Sequence, residues 1–217
     1  MPCAVRHRQI QAVASKADFK RALTFHRFDN NKLMIYSELV QKNKKIAVIG
    51  LGYVGLPIAL EFAKHFSVIG FDINEDRIRL MQQGIDPSKE LEASDFEDTD
   101  ILFTTNADDL RRAHFFVVAV PTPVDEHKVP NLKPVLSASE TVGKVLKPGD
   151  YVVYESTVYP SCTEEDCLPI LEKFSKMKCL AAKAAVAVPA GTEEEQEPSF
   201  RLGYSPERIN PGDKEHT

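Results

Sequence analysis

The chain has 217 residues, 43% of them hydrophobic and 27% charged, a balance that packs one sizeable apolar core in water. Its net charge of −5 argues against a nucleic acid or an anionic membrane surface as the main partner. No apolar run approaches the ~20 residues of a membrane-spanning helix.

Residues 1–44 precede the first core strand. Arg6, Arg8, Lys16, Lys20, Arg21 and Arg27 make this stretch basic, and Asp18 is its first acid. Such a start fits a transit peptide, a disordered extension or a misassigned start codon. We take Met34 as the natural start, opening a short amphipathic helix through Val40, and expect residues 1–33 to be poorly ordered. Ile46, Ala47, Val48 and Ile49 then form a continuous apolar run, the pattern of a parallel strand covered on both faces.

Gly50, Gly52 and Gly55 follow as G-x-G-x-x-G. The first glycine suits a tight turn, the second lets a pyrophosphate approach the backbone, and the third lets helix and strand pack closely. The pyrophosphate is expected on the free N–H groups of the helix start. Residues 56–63 make that helix, with Pro57 tolerated in its first turn. A second strand, residues 67–71, ends in Asp72. This acid follows Gly50 by about 20 residues, the spacing of the carboxylate that binds an adenosine ribose. An acid there repels a 2′-phosphate, so NAD is favoured over NADP. Arg77 lies one turn into the next helix, within reach of the ribose, and Gly84 closes that helix.

Residues 86–100 read as an acidic surface loop and 101–105 as strand three. Asn106 caps a short helix. Residues 115–120 are a fully apolar, central strand that stops at Pro121-Thr122-Pro123. In an open α/β sheet ligands bind at this edge, which puts Thr122 against the cofactor. A helix over 131–146 leads to strand five, residues 151–155, and to Ser156-Thr157, whose hydroxyls are placed either to meet a ligand or to cap locally. Ser161-x-x-Glu164 fits a capping box for a helix over 164–174. Residues 180–199 are too long for an αβ connection and read as an insertion, a disordered loop or a gene-model error. Residues 200–204 are strand six.

The four cysteines are Cys3, Cys162, Cys167 and Cys179. They form no C-x-x-C pair, and no Cys/His cluster has zinc spacing, so no metal is expected. Free thiols in a reducing cytoplasm are the reading, with a low-pKa thiolate at Cys162 or Cys167 as the alternative.

About six strands alternating with helices define an α/β fold, a Rossmann-type doubly wound parallel sheet over residues 45–217. Four motifs occur in order: Gly50-Leu51-Gly52-Tyr53-Val54-Gly55-Leu56-Pro57, Val120-Pro121-Thr122-Pro123, Glu155-Ser156-Thr157-Val158 and the segment from Tyr204 through Ser205-Pro206-Glu207-Arg208-Ile209-Asn210-Pro211 to Gly212. Together they resemble the N-terminal, NAD-binding domain of the UDP-glucose/GDP-mannose dehydrogenase family. The last motif is similar to the branch acting on UDP-N-acetylhexosamines for surface polysaccharides. The resemblance covers residues 34–179 and 200–217.

It implies a four-electron oxidation of the sugar C6 alcohol to a carboxylate, with two NAD molecules used in turn and a cysteine holding the sugar as a thioester before hydrolysis. It assigns Val54, Asp72, Arg77, Thr122 and Thr157 to NAD, beside Gly50, Gly52, Tyr53 and Gly55 of the glycine turn. Thr157 and Glu207 are its catalytic candidates. UDP-glucose members carry the water-handling Glu four residues beyond Glu207, where this chain has Pro211, so Glu207 and Arg208 are read as shaping the UDP-sugar site. The family's central helix, nucleophilic cysteine and UDP-binding domain would follow Thr217. The 217 residues by themselves are therefore expected to be inactive, and a homodimer is implied only for a longer parent. The alternatives are a UDP-glucose 6-dehydrogenase fragment or a stand-alone NAD-binding module. Another two-domain enzyme, such as a hydroxyacid dehydrogenase, leaves the later motifs unexplained.

Overall fold

The six predicted strands all take their places in the sheet. The computed structural model describes residues 32–124, 126–127, 129–180 and 198–205. Glu207, Arg208, the basic stretch 1–31 and residues 181–197 lie outside the described residues. In chain order the elements are α1 (Lys32–Val40), β1 (Lys45–Ile49), α2 (Gly55–Ala63), β2 (Val68–Phe71), α3 (Glu75–Met81), β3 (Ile101–Thr104), β4 (Ala113–Val118), α4 (Lys133–Gly143), β5 (Tyr151–Tyr154), α5 (Leu168–Ser175), β6 (Lys178–Cys179) and β7 (Ser199–Tyr204). All strand pairs are parallel, in the order β3-β2-β1-β4-β5-β7-β6.

The sheet alternates its side chains between two cores, as strand geometry requires. Ile46 and Val48 of β1, with Phe115 and Val117 of β4, pack beneath α1, α2 and α3. Ala47, Ile49, Phe116 and Val118 face the opposite layer, with Val135 and Val142 of α4 and Leu171 of α5. α2 buries Leu56, Ala59, Leu60 and Ala63; each leucine buried contributes about 1.5–3 kcal/mol. Being covered on both faces is why these strands read as unbroken apolar runs.

The structure departs from the sequence reading in three places. The sheet has seven strands rather than six, because the two-residue β6 pairs with Ser199 and Phe200 of β7. That pairing also takes in the margins of the predicted 180–199 insertion, since Leu180 N–H donates to Phe200 O at 2.8 Å. The predicted capping box does not form. Thr163–Cys167 makes a π-helical turn ahead of α5, and its first residue has no side-chain cap. Instead the backbone carbonyl of Ser161 accepts from Glu164 and Glu165, and Ser161 itself adopts a left-handed φ of 73°. Finally, the 86–100 loop is more ordered than its composition suggests. The buried Asp86 carboxylate accepts from the N–H groups of Ser88, Glu90 and Leu91.

Candidate cofactor site

The sequence-predicted cofactor residues all fall at the carboxyl edge of the sheet, around the point where strand order reverses between β1 and β4. That crevice is where open parallel sheets bind ligands. Gly50 leaves β1 with φ +88°, and a Cβ there would come within 2.8 Å of Val120 Cγ1 and 2.9 Å of Ala119 O. A Cβ on Gly55 would lie 1.8 Å from Gly50 O, so the first turn of α2 rests directly on the end of β1. Gly52 is different: a Cβ there meets nothing within 4 Å. The protein itself requires the first and third glycines. No contact within the protein requires the second, and its open face leaves room for a group that approaches the backbone from outside.

The start of α2 has no side-chain cap and no acidic residue in its first turn. Its N–H groups and the positive end of the helix dipole favour an anion. The open Gly52, the uncapped helix and the tight turn together fit a pyrophosphate. Tyr53 stands half-exposed on this turn and Val54 beside it is partly buried.

Asp72 sits just past β2. Its Oδ2 accepts from Leu51 N–H at 2.9 Å, and its Oδ1 accepts from Asn74 N–H at 2.9 Å. Arg77, from α3, donates through Nη2 to Leu51 O at 2.7 Å and to Ser88 Oγ at 3.4 Å. One residue of the glycine turn, Leu51, is thus held through its N–H by Asp72 and through its carbonyl by Arg77. Asn74 caps α3 by accepting from Arg77 N–H at 3.1 Å, which fixes the turn from which the arginine projects. Each carboxylate oxygen keeps a lone pair for a ribose hydroxyl.

On the other side of the turn, Thr122 follows β4 and Thr157 follows β5. The structure brings them together: Thr122 Oγ1 donates to Thr157 O. Ser156, offered by the sequence as a ligand-facing hydroxyl, turns inward instead. It is buried and donates to Val120 O at 2.7 Å. The thiolate alternative at Cys162 or Cys167 is overturned. Both thiols are buried in the core, and loss of solvent pushes Cys162 up to about 12 and Cys167 upward as well. Such thiols are protonated and inert at neutral pH. Burial also raises Cys179.

Two contributors escaped the sequence reading. Leu51 acts through its backbone, which no side-chain pattern reveals. Ser88 lies in a loop without periodicity, and only its contact with Arg77 marks it.

Fold and site define a dinucleotide-binding domain of the NAD type. The chain belongs to the UDP-glucose/GDP-mannose dehydrogenase family, whose NAD binding domain matches residues 44–216. It is 52% identical over 176 residues to the UDP-N-acetyl-D-glucosamine 6-dehydrogenase of Pseudomonas aeruginosa, covering 81% of this chain and 38% of that protein. It is 51% identical over 175 residues to protein CapL of Staphylococcus aureus, covering 81% and 37%. Among solved structures, the NDP-N-acetyl-D-galactosaminuronic acid dehydrogenase of Methanosarcina mazei Go1 superposes with a TM-score of 0.65 at 28% identity, covering 80% of this chain and 37% of that one. The chain therefore spans under two-fifths of the length of the curated relatives it matches. No helix among the described residues is long and apolar enough to cross a membrane.

Proposed function

We propose that this chain supplies the NAD-binding half of a cytoplasmic enzyme that oxidises C6 of a UDP-N-acetylhexosamine to the carboxylate, for surface polysaccharide synthesis. One observation carries the cofactor half of this reading: the glycine turn leaves Gly52 open beside Asp72 at the switch point of the sheet. The half-identical UDP-N-acetyl-D-glucosamine 6-dehydrogenase of Pseudomonas aeruginosa supports the sugar.

Asp72 would accept the adenosine ribose hydroxyls, with Arg77 bracing the turn behind it and reaching the same ribose. The backbone from Gly50 to Gly55, with Tyr53 and Val54, would hold the pyrophosphate at the α2 start. Thr122 and Thr157 would meet the nicotinamide nucleoside, and Thr157 would help to position the hydrolytic water. NAD bound there supplies the hydride acceptor for each oxidation. Glu207 and Arg208 would face the UDP-sugar. No thiol among the described residues has thiolate character, which supports a binding half without turnover; a longer parent would dimerise.

The test is a comparison of cofactors. NAD binds the 217-residue chain, and NADP binds it at least about tenfold more weakly, because its 2′-phosphate meets the Asp72 carboxylate. The chain mixed with NAD and UDP-N-acetylglucosamine forms no NADH. NADP binding as tight as NAD overturns the ribose assignment. NADH formation overturns the reading of a half-enzyme.

A further inference from the structure

Gly52 N–H donates to no acceptor among the described residues, whereas its carbonyl accepts from Leu56 N–H at 3.1 Å. The direction of that free N–H is set by the neighbouring carbonyl. A trans peptide is planar, so Leu51 C=O and Gly52 N–H share one plane and point in opposite directions. Arg77 Nη2, reaching from α3, donates to Leu51 O at 2.7 Å. The guanidinium therefore turns Gly52 N–H away from its own side of the turn. The tie matters because residue 52 is glycine. With no Cβ, the plane can turn over at little cost unless something holds it.

Arg77 is itself held. Its second contact is Ser88 Oγ at 3.4 Å. Ser88 belongs to a loop wound around one carboxylate. Asp86 is 6% exposed. Its Oδ1 accepts from Ser88 N–H at 2.7 Å, and its Oδ2 accepts from Glu90 N–H at 2.9 Å and Leu91 N–H at 3.0 Å. Leu91 packs the far end of the loop against the core beneath α2 and α3. Charge-assisted bonds to a buried carboxylate fix a segment that has no regular secondary structure.

Asp86, Ser88, Arg77 and Leu51 thus form a chain of contacts that ends at the Gly52 peptide. Resting on the NAD reading above, we propose that the Asp86 loop is the positioning element of the glycine turn: through Ser88 it holds Arg77 on the Leu51 carbonyl, and so keeps Gly52 N–H aimed at the bound pyrophosphate. Asp86 and Ser88 are positioning residues that act without touching the ligand.

The test is an NMR titration of the isotope-labelled 217-residue chain with three probes: NAD, ADP and adenosine, the last without any phosphate. In the parent, NAD and ADP move the Gly52 amide resonance and adenosine does not. Asp86→Asn, which turns one accepting oxygen into a donor, weakens NAD and ADP by about fivefold to tenfold and leaves adenosine within about twofold. It also shrinks the Gly52 response at saturation. Ser88→Ala acts in the same direction by about twofold to threefold, because its contact is longer, and Ser88→Thr, which keeps the hydroxyl, recovers the loss. Unchanged NAD affinity in either Asp86→Asn or Ser88→Ala overturns the proposal. So does adenosine affinity falling in step with ADP, which is the mark of general loosening. A parent whose Gly52 resonance does not respond to ADP overturns it as well. Where Asp86→Asn does not fold, the two Ser88 variants are read in the same way. A parent chain that binds none of the three probes overturns the cofactor reading itself, a separate outcome.

Discussion

A Cβ at Gly55 would lie 1.8 Å from the Gly50 carbonyl oxygen, whereas one at Gly52 would meet nothing within 4 Å. Gly55→Ala must push α2 away from β1, and a backbone oxygen does not yield as a flexible side chain does. We expect it to destabilise the fold by about 3 kcal/mol or more, measured as a lowered denaturant midpoint; a midpoint equal to the parent's would show that the turn is looser than described. Asp72 tests the ligand side. It provides charge-assisted hydrogen bonds, each contributing about 1.5–3 kcal/mol. Asp72→Ala should therefore weaken NAD by roughly tenfold to a hundredfold in the same titration, and unchanged affinity would remove the ribose role. At this scale the sequence was informative wherever a residue acts through an identity that spacing constrains, as Gly50 and Gly55 do. It was silent where a residue acts through its backbone, as Leu51 does. It also left Ser156 open, because a hydroxyl at a strand end has two uses and only burial separates them.

The π-helical turn before α5 shows what element-level reasoning missed. Ser161-x-x-Glu164 has the composition of a capping box, yet the Ser161 backbone, in a left-handed conformation, does the work through its carbonyl. A non-glycine residue in that conformation carries a steric penalty of about 1–2 kcal/mol. Since Glu164 and Glu165 donate to the Ser161 carbonyl and not to its side chain, Ser161→Gly keeps both bonds and removes the clash. It should raise stability by about 1 kcal/mol in thermal melting. A fall in the melting temperature would restore the capping role. The strands and helices themselves were legible because two-sided burial leaves long apolar runs and glycines punctuate them. The two-residue β6 was not, because it is shorter than any periodic signal and forms only by pairing with β7.

Across the whole molecule, the two edges of the sheet carry opposite burdens. The carboxyl edge gathers the candidate cofactor residues, while β4 begins at the amino edge, where His114 is partly buried with Nδ1 lacking any hydrogen-bond partner. Burial, and then Lys147 and Lys44 nearby, lower its pKa to about 4 from 6.5. The unfolded chain binds this proton more readily than the folded one between those values. The contribution of this histidine to stability is therefore fully present above about pH 6.5 and is lost as pH falls towards 4. His114→Gln should flatten the melting temperature over that interval, and an unchanged slope would place the acid sensitivity in other groups. No sequence pattern marks this histidine, because its environment is assembled from three separate segments.

The central claim is that the glycine turn beside Asp72 holds NAD, and it is tested most directly by calorimetric titration of NAD into the 217-residue chain beside its Gly52→Ala variant. The account predicts saturable one-to-one binding by the parent. In the variant it predicts an unchanged melting temperature and at least about a tenfold loss of affinity, since the added methyl occupies the space the pyrophosphate needs. A parent that does not bind NAD, or a variant that binds it as tightly, would contradict the account.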